Sequence, residues 1–495
     1  MKSKKLLNST LIRAAGQRLS ERVTFIFFLN IVTIVFQLLY LSFRYKYLNA
    51  TVPFWFTKPW GDLQLVAKSH LFYIPITSIL ILLGGAFFIY FLKKYYVRYF
   101  NDLILIFICL CNLVLTYSLV RIIQISSTLF VPLIDPTYVG LAGPFLFSFL
   151  LVLLIAPIFI EFAKEHNIIT NPAFHNHPGM ILLRPSARGG GFVFTLGFLL
   201  AAFLFVPFTQ QYVGIYIVAA LLAILGFIDD YQNTHQTSSF RIFEQPVLRL
   251  IILFILVSVV VIFNVRINFI ANPIGGIINL NAYSFLISVF FTIVWIVWVL
   301  NVMSWSNGID GQYAGIVGIA AVVIALLALR FSPLGAMDLN NAKLAIIVAG
   351  ASFGLIPFTW HPSKIMWGFG AVSAALVLSA LSILVSSKVA TSIIIILIPF
   401  LDALVTVVRR LLQKKNPLKG DRGHLHHLLM DRGWNVKKIA VFYWVTTAFF
   451  GIVALLASEK SLALITLTFG GIVAFVIIML NLKSLTKKQQ SQTVV

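Results

Sequence analysis

Long apolar runs separated by short polar segments dominate this chain from residue 23 to residue 482. Many of these runs exceed the roughly 20 residues that an α-helix needs to cross a bilayer. The pattern therefore predicts about fourteen transmembrane helices, about eleven of them after residue 140. The predicted spans are 23–43, 71–92, 102–122, 141–162, 191–208, 213–229, 247–264, 285–302, 312–330, 342–358, 367–386, 390–408, 439–457 and 460–482.

Composition places the chain among membrane proteins. Of its 495 residues, 60% are hydrophobic and 11% are charged, whereas soluble domains carry roughly 25% charged residues. The first apolar run follows about twenty polar and basic residues and has no small-residue cleavage site behind it, so a signal peptide is not predicted. The predicted fold class is all-α, a polytopic integral membrane protein.

The net charge of +22 follows the predicted membrane topology. Lysine and arginine concentrate in alternate loops and at both ends of the chain, which is the positive-inside pattern. It predicts cytoplasmic termini, attraction to anionic lipid and no nucleic-acid partner. The polar motifs lie in or beside the predicted cytoplasmic loops, which favours an active site on that side of the membrane. These loops are 163–190, 230–246, 303–311, 359–366 and 409–438.

The densest polar segment is 419–427, which reads Lys-Gly-Asp-Arg-Gly-His-Leu-His-His. Ionisable residues in a membrane protein are costly unless they face water or a ligand, so this segment is a candidate site. Imidazoles beside cations suit phosphate oxygens or a metal ion. The alternatives for these three histidines are transition-metal binding or the capping of a helix.

Two adjacent carboxylates, Asp229 and Asp230, end an apolar span. Neighbouring acids are usually held by a cation, a metal or a shared proton, and Arg241 is a nearby cation in sequence. They could act as metal ligands or as an oxygen base or nucleophile. A solvated helix end is the structural alternative.

Two further loops carry candidate residues. Arg188 precedes three glycines at 189–191, where backbone N–H groups at a helix N-terminus could meet an anion; a flexible interfacial turn is the alternative. Residues 301–311 break two spans at membrane depth, where non-helical backbone lines a cavity or is buried in protein. Asp310 is therefore a candidate for binding a metal or a polar ligand, although Asn, Asp and Gly also form ordinary tight turns.

Together these motifs make the chain resemble the polyprenyl-phosphate N-acetylhexosamine-1-phosphate transferases, glycosyltransferase family 4. The resemblance covers 141–482, and it predicts a membrane extension at 1–140 with about three spans, a transferase domain at 141–483 and a cytoplasmic tail at 484–495. The matching elements are 188–191, 226–230, Arg241 with Gln245, 301–311, 361–365, Asp402, Arg409 with Arg410, and 421–427.

The resemblance implies transfer of a sugar 1-phosphate from a UDP-N-acetylhexosamine to polyprenyl phosphate, with release of UMP, as the first membrane step of a cell-wall or surface-polysaccharide pathway. It implies a multi-pass plasma-membrane protein with a cytoplasmic active site, and a homodimer is compatible with it. Asp229 and Asp230 would be the catalytic acids, and together with Asp310 they would hold Mg²⁺, or Mn²⁺ in its place. The substrate-binding residues that the resemblance implies are Arg188, Asn301, Asp310, Lys364, Arg422, His424, His426 and His427.

The chain departs from the family pattern at three positions. Ser304 and Asn307 stand where the family usually has Asn and Asp, and Phe369 stands where it has a metal-ligating Asp. Magnesium is a hard cation that prefers oxygen ligands, which a phenyl ring cannot supply. One alternative is therefore a catalytically impaired relative that binds lipid phosphate or nucleotide sugar. A membrane transporter is the other, but it would predict an inverted repeat, and the sequence contains no convincing repeat.

Overall fold

The computed structural model describes most of the chain and divides it by internal contacts into two units, Met1–Pro136 and Thr137–Val495. Helices dominate both units, and the candidate chemistry lies in the second. The described residues are 27–59, 61–92, 99–127, 136–172, 184–235, 245–271, 276–330, 333–385, 389–417 and 421–492.

The first unit contains three helices and a β-hairpin. Helix α1 covers 27–44, α2 covers Tyr73–Leu92 and α3 covers Tyr99–Ser126. Strands β1 (Thr51–Pro53) and β2 (Leu65–Ala67) pair antiparallel between α1 and α2. Apolar side chains from the helices and the hairpin form the core of this unit.

Amide side chains join α1 to α3 inside this unit. Asn112 Nδ2 donates to Asn30 Oδ1 at 2.9 Å, and Gln37 Nε2 donates to Thr116 Oγ1 at 2.8 Å. Polar groups in an apolar environment must find partners within the protein, so these hydrogen bonds favour one pairing of the two helices.

The described part of the second unit consists of helices and two short β-hairpins. Strands β3 (Ile169–Thr170) and β4 (Ser186–Ala187) form one hairpin, and β5 (Phe269–Ala271) and β6 (Ile277–Asn279) form the other. The helices are α4 (Pro136–Glu165), α5 (Gly190–Phe205), α6 (Gln210–Thr234), α7 (Pro246–Ile262), α8 (Leu280–Tyr283), α9 (Phe285–Trp305), α10 (Gln312–Ala328), α11 (Ala336–Thr359), α12 (Ala371–Leu384), α13 (Val389–Ile395), α14 (Leu397–Leu412), α15 (Leu425–Met430), α16 (Val436–Leu456) and α17 (Glu459–Gln492).

Within the described residues, nine helices are long and apolar enough to cross a membrane, and four further apolar helices are shorter. The all-α, polytopic membrane fold is therefore confirmed. The predicted span 390–408 differs, because it is divided into α13 and α14 at Ile396. Pro399 has no N–H to donate to the Ile395 carbonyl, which favours a break at this point.

Helix α12 lies inside the bundle and positions the candidate site. Its residues from Ala371 to Ser382 are all buried. At about 1.5 Å per residue it is roughly 21 Å long, less than the roughly 30 Å hydrocarbon core. Because α12 packs on α5, α6 and α9, the loop before it lies against the ends of those helices.

Candidate active site

Loops that the sequence predicts to be cytoplasmic meet at one end of the helical bundle. Ala187 in β4 forms a parallel bridge with Ile365, which places the loops 163–190 and 359–366 side by side. The Ala187 N–H donates to the Lys364 carbonyl at 3.0 Å, and the Met366 N–H donates to the Ala187 carbonyl at 2.8 Å. Segments far apart in the sequence thus share one backbone framework.

The glycines before α5 pack against this framework. Gly190 donates its N–H to the Met366 carbonyl at 2.8 Å, and Gly191 donates to the Trp367 carbonyl at 2.9 Å. The prediction that these N–H groups lie open to an anion is therefore wrong. The glycines instead permit close approach, because a Cβ on Gly191 would lie 2.1 Å from the carbonyl carbon of Gly370.

Asp230 is completely buried at the end of α6. Its Oδ1 accepts hydrogen bonds from Arg188 Nη1 at 3.3 Å and from the Phe369 N–H at 3.4 Å. Its Oδ2 is buried and has no hydrogen-bond partner within the described residues. Gly368, at φ +64°, covers this oxygen, since a Cβ there would lie 1.8 Å from it. An unpaired buried carboxylate oxygen is costly and indicates a functional position.

Asp229 is held by a different arginine. Its Oδ1 accepts from Arg249 Nη2 in α7 at 2.5 Å, and its Oδ2 accepts from Asn233 Nδ2 at 2.9 Å. Arg188, the partner of the neighbouring carboxylate, is positioned in turn by a hydrogen bond from its Nε to Thr170 Oγ1 in β3. The two carboxylates therefore each have a guanidinium partner, which offsets the repulsion between them.

Phe369 packs against the arginine that holds Asp229. The Arg249 Cζ lies 5.0 Å from the centroid of the Phe369 ring, and such cation–π contacts contribute roughly 0.5–2 kcal/mol. Asn307 Nδ2 donates to the Gly368 carbonyl at 3.3 Å. The resemblance implies carboxylates at positions 369 and 307. In the structure, Phe369 is instead an aromatic partner for Arg249, and the Asn307 amide hydrogen-bonds the loop that contains Gly368.

Asp310 braces the loop after α11. Its Oδ2 accepts from His361 Nδ1 at 2.7 Å and from the Ser363 N–H at 3.1 Å. Lys364 lies exposed on the same loop, while the Asn301 side chain donates to a backbone carbonyl of its own helix at 2.8 Å. Asp310 therefore positions the loop after α11 through His361 and Ser363. Lys364, a predicted substrate-binding residue on this loop, reaches the surface.

The histidine loop is anchored to α14 by a buried carboxylate. Asp402 Oδ2 accepts from His424 Nδ1 at 3.0 Å, and Asp402 Oδ1 accepts from the Leu425 N–H at 2.7 Å. The short helix α15 begins at Leu425. Asp402 thus fixes both the first histidine and the start of this helix.

A second carboxylate, Asp421, holds the beginning of the same loop. It accepts two hydrogen bonds from Arg409 at 2.9 Å each, one from Arg410 at 3.2 Å and one from the Gly423 N–H at 2.8 Å. Burial alone would raise the pKa of Asp421, but these hydrogen bonds, that from Arg410 foremost, hold its pKa well below the usual range. Asp421 is therefore ionised at neutral pH.

The two remaining histidines are buried and neutral. Burial, with a contribution from Arg422, lowers the pKa of His427 to about 4, and burial lowers the pKa of His426 well below its usual value. The Nδ1 atoms of both have no hydrogen-bond partner within the described residues. His426 also packs on the 301–311 loop, since a Cβ on Gly308 would lie 2.4 Å from its Nε2. Neutral imidazoles offer one donor and one acceptor each, so the positive charge of this cluster comes from arginines.

The predicted metal ligands do not fit a divalent cation as they are arranged. Both oxygens of Asp229 accept hydrogen bonds, and Asp310 Oδ2 accepts two. Among the described residues, no group of three or more His, Cys, Asp and Glu is arranged to hold a metal ion. Asp230 Oδ2 is a buried carboxylate oxygen that this arrangement leaves without a partner among the described residues. The expectation of magnesium therefore rests on the sequence resemblance and stays a prediction.

Comparison with known proteins supports the resemblance seen in the sequence. The model of glycosyl transferase family 4 matches residues 212–386. This segment runs from α6 to α12 and includes the aspartate pair, Asp310 and the loop that covers Asp230. Over this segment the chain is similar to glycosyl transferase family 4.

Individual relatives in the family differ in the sugar they carry. A decaprenyl-phosphate N-acetylglucosaminephosphotransferase of Mycolicibacterium smegmatis is 27% identical over 36% of this chain and 50% of its own length. A probable undecaprenyl-phosphate N-acetylglucosaminyl 1-phosphate transferase of Bacillus subtilis is 23% identical over 67% of this chain and 88% of its own length. A phospho-N-acetylmuramoyl-pentapeptide-transferase of Borrelia turicatae is 26% identical over 63% of this chain and 92% of its own length. The chain thus spans half the length of the mycobacterial relative and most of the other two.

Several contacts of the site were not predicted from the sequence. Arg249 was missed as the partner of Asp229, although an arginine within an apolar helix is a recognised sign of function. Asn233, one helical turn after Asp229, was also missed. Arg241, the predicted partner of the aspartate pair, lies outside the described residues, as do 173–183 and 418–420. Arg422 was predicted to bind substrate; it pairs with Asp431 at 3.1 Å on the exposed side of the histidine loop.

Proposed function

We propose that this protein transfers a sugar 1-phosphate from a UDP-sugar to polyprenyl phosphate at the cytoplasmic membrane surface, and that it releases UMP. An N-acetylhexosamine is the proposed sugar. The observation that carries the proposal is Asp230, a buried carboxylate with one unpaired oxygen inside the segment that matches the family. Its chemical setting, between arginines and beside an apolar helix surface, suits a phosphate that carries a hydrocarbon tail.

In this reaction an oxygen of the lipid phosphate attacks the phosphorus that carries the sugar, and the bond from that phosphorus to the oxygen of the UMP group breaks. Asp230 Oδ2 would accept the proton of the lipid phosphate and so raise its nucleophilicity. Arg188 would offset negative charge on the transferring phosphoryl group. Asp229 accepts a hydrogen bond from Arg249 and would so keep the Arg249 guanidinium beside the transferring phosphoryl group.

Apolar side chains beside the aspartate pair offer a path for the isoprenoid tail. Ile228 and Tyr231 on α6 are 38% and 44% exposed, and Val247 and Ile251 on α7 are 57% and 48% exposed. Helices α6 and α7 pack together, so these side chains flank the helix ends that carry Asp229 and Arg249. A polyprenyl chain could therefore lie along this face with its phosphate at the aspartates.

The neutral histidines suit the nucleotide part of the donor. His426 and His427 each present an imidazole nitrogen without a partner in the described structure, which can donate to a phosphate oxygen or to uracil. Positive charge would come from Arg410 and Arg422 nearby.

A transfer assay tests the proposal. The full chain in nanodiscs would receive undecaprenyl phosphate, a panel of UDP-sugars, and Mg²⁺, Mn²⁺ or EDTA, with UMP release and lipid-linked product as readouts. Asp230→Asn should abolish turnover. Asp338→Asn, the same change in the first turn of α11 at the far end of that helix, should retain it. Equal turnover of wild type and Asp230→Asn would refute the assigned role of this carboxylate.

The departures at two positions favour one alternative function. Asn307 and Phe369 remove carboxylates that the resemblance implies, so the protein could bind lipid phosphate and nucleotide sugar without transferring the phosphoryl group. In that case UDP-sugar binding would survive in a protein that releases no UMP with any donor.

A further inference from the structure

We propose that Arg249, held between Asp229 and the Phe369 ring, takes the electrostatic place of a resident divalent cation, so that the site binds the diphosphate of its nucleotide without a metal of its own. The inference rests on the proposed function, because it assumes that a nucleoside diphosphate is the ligand. It gives a single explanation for the arginine in α7, for the phenyl ring and for the carboxylate contacts.

The carboxylate oxygens are the first line of support. Asp229 uses Oδ1 for Arg249 and Oδ2 for Asn233, and Asp230 uses Oδ1 for Arg188 and for a backbone N–H. A magnesium ion needs near-octahedral oxygen ligands at roughly 2.0–2.1 Å. Only Asp230 Oδ2 is without a partner among the described atoms of this pair, and the Gly368 backbone covers it. A resident ion that took a second ligand from this pair would have to share that oxygen with a guanidinium or an amide.

The phenyl ring is the second line of support. Arg249 Cζ lies 5.0 Å from the Phe369 centroid while Nη2 of the same group contacts Asp229. An aromatic face attracts a guanidinium but offers nothing to a strongly hydrated Mg²⁺ ion. The Phe369 ring and the Asp229 carboxylate therefore hold the Arg249 guanidinium from two sides. The Arg249 side chain is still 32% exposed, so a ligand can reach it.

The local charge is the third line of support. Two carboxylates face two guanidinium groups, those of Arg188 and Arg249, so the pair of ion pairs is neutral before any ligand binds. A divalent ion would bring two further positive charges next to both arginines, whereas a diphosphate would meet guanidinium donors already in place. Guanidinium groups bind phosphate through paired N–H donors, which suits this task.

Two binding measurements test the inference on the full chain in phosphatidylcholine nanodiscs. The first follows the loss of the Mn²⁺ electron paramagnetic resonance signal on titration into protein without substrate. The second measures UDP affinity in EDTA. Wild type should bind no more Mn²⁺ than empty nanodiscs and should bind UDP in EDTA. Arg249→Gln should weaken UDP binding about 10- to 100-fold, as expected for the loss of a charge-assisted hydrogen bond.

A matched control comes from the other end of α7. Arg266 Cζ lies 4.6 Å from the Phe285 ring, and Arg266 Nη2 donates to Asn264 Oδ1 at 2.9 Å. Arg266→Gln therefore removes a similar cation–π pair away from the aspartates. UDP affinity should not change in that variant. The double variant Arg249→Gln with Phe369→Asp should gain about one Mn²⁺ site, because it supplies a carboxylate and removes the competing cation.

Three results would overturn the inference: one Mn²⁺ bound to wild type and removed by Asp230→Asn, loss of UDP binding in EDTA, or a folded double variant that binds no Mn²⁺. The failure of the proposed function has a different signature. Binding of UDP in EDTA without transfer of any sugar phosphate would reject the transferase and keep the metal-free site. Transfer that needs an ion held by Asp230 would keep the transferase and reject the metal-free site.

Discussion

Replacement of Gly368 by alanine should disable the site while leaving the fold intact. Gly368 has φ +64°, and a Cβ there would lie 1.8 Å from Asp230 Oδ2. An ordinary van der Waals contact begins at 3.4 Å on the same scale, so the carboxylate or the loop must move by about 1.6 Å. A misplacement of about 1 Å at a reacting group can lower the rate about 100-fold. We therefore expect at least that loss of turnover in Gly368→Ala.

Gly368→Ala also strains the backbone, in addition to displacing the Asp230 carboxylate. A left-handed alanine costs roughly 1–2 kcal/mol relative to glycine. Gly276, in the turn between β5 and β6, has φ +82°, and a Cβ there would meet nothing within 4 Å. Gly276→Ala therefore carries a similar strain without a clash, at the far end of α7 from Arg249.

The assay compares UMP release and thermal unfolding of both variants in nanodiscs. Both should lose a few degrees in melting temperature, Gly368→Ala more because of its clash, and only Gly368→Ala should lose turnover. Normal turnover in Gly368→Ala would show that the position of Asp230 is not critical. An equal loss of turnover in Gly276→Ala would show that strain, and not the displaced carboxylate, is the cause.

Three further changes test other parts of the structure. Asp402→Ala removes the acceptor for His424 Nδ1 and for a helix N–H, so UDP affinity measured by calorimetry should fall about tenfold or more; an unchanged affinity would separate this anchor from nucleotide binding. The pKa of His427 in the folded protein, about 4, lies below the usual value of 6.5, so between these pH values the unfolded protein binds more protons than the folded one. The melting temperature should therefore fall as the pH drops from 6.5 to about 4. His427→Gln should make the melting temperature depend less on pH, and an unchanged pH dependence would assign the effect to other groups. Asn112→Ala leaves the Asn30 amide without its 2.9 Å partner and should destabilise the first unit by roughly 0.6–2 kcal/mol, seen as lower resistance of that unit to proteolysis; wild-type resistance would show that the amide pair contributes little.

Much of the fold followed from the sequence because apolar length is a strong signal in membrane proteins. Where the chain is described, the predicted spans correspond to helix, and the departure at 390–408 lies next to Pro399, whose missing N–H favours a break. The carboxylates at 229 and 230 were also found from sequence, since two adjacent acids at the end of an apolar helix have few structural explanations. Their roles in the reaction stay predictions.

Partners across the site could not be found in the same way, because they depend on how helices pack. Arg249 lies twenty residues after Asp229 and meets it only because α6 and α7 run side by side. The N–H groups of Gly190 and Gly191 looked available because the sequence does not show that carbonyls some 175 residues later accept from them. The same loop carries Phe369, and from sequence alone a phenylalanine in place of a carboxylate indicates only a loss. In the structure its ring lies under Arg249, so the substitution and the arginine belong together. A position that departs from a family pattern is therefore best judged with the residues that pack on it, since the physical role of one side chain can pass to a neighbour that the pattern does not include.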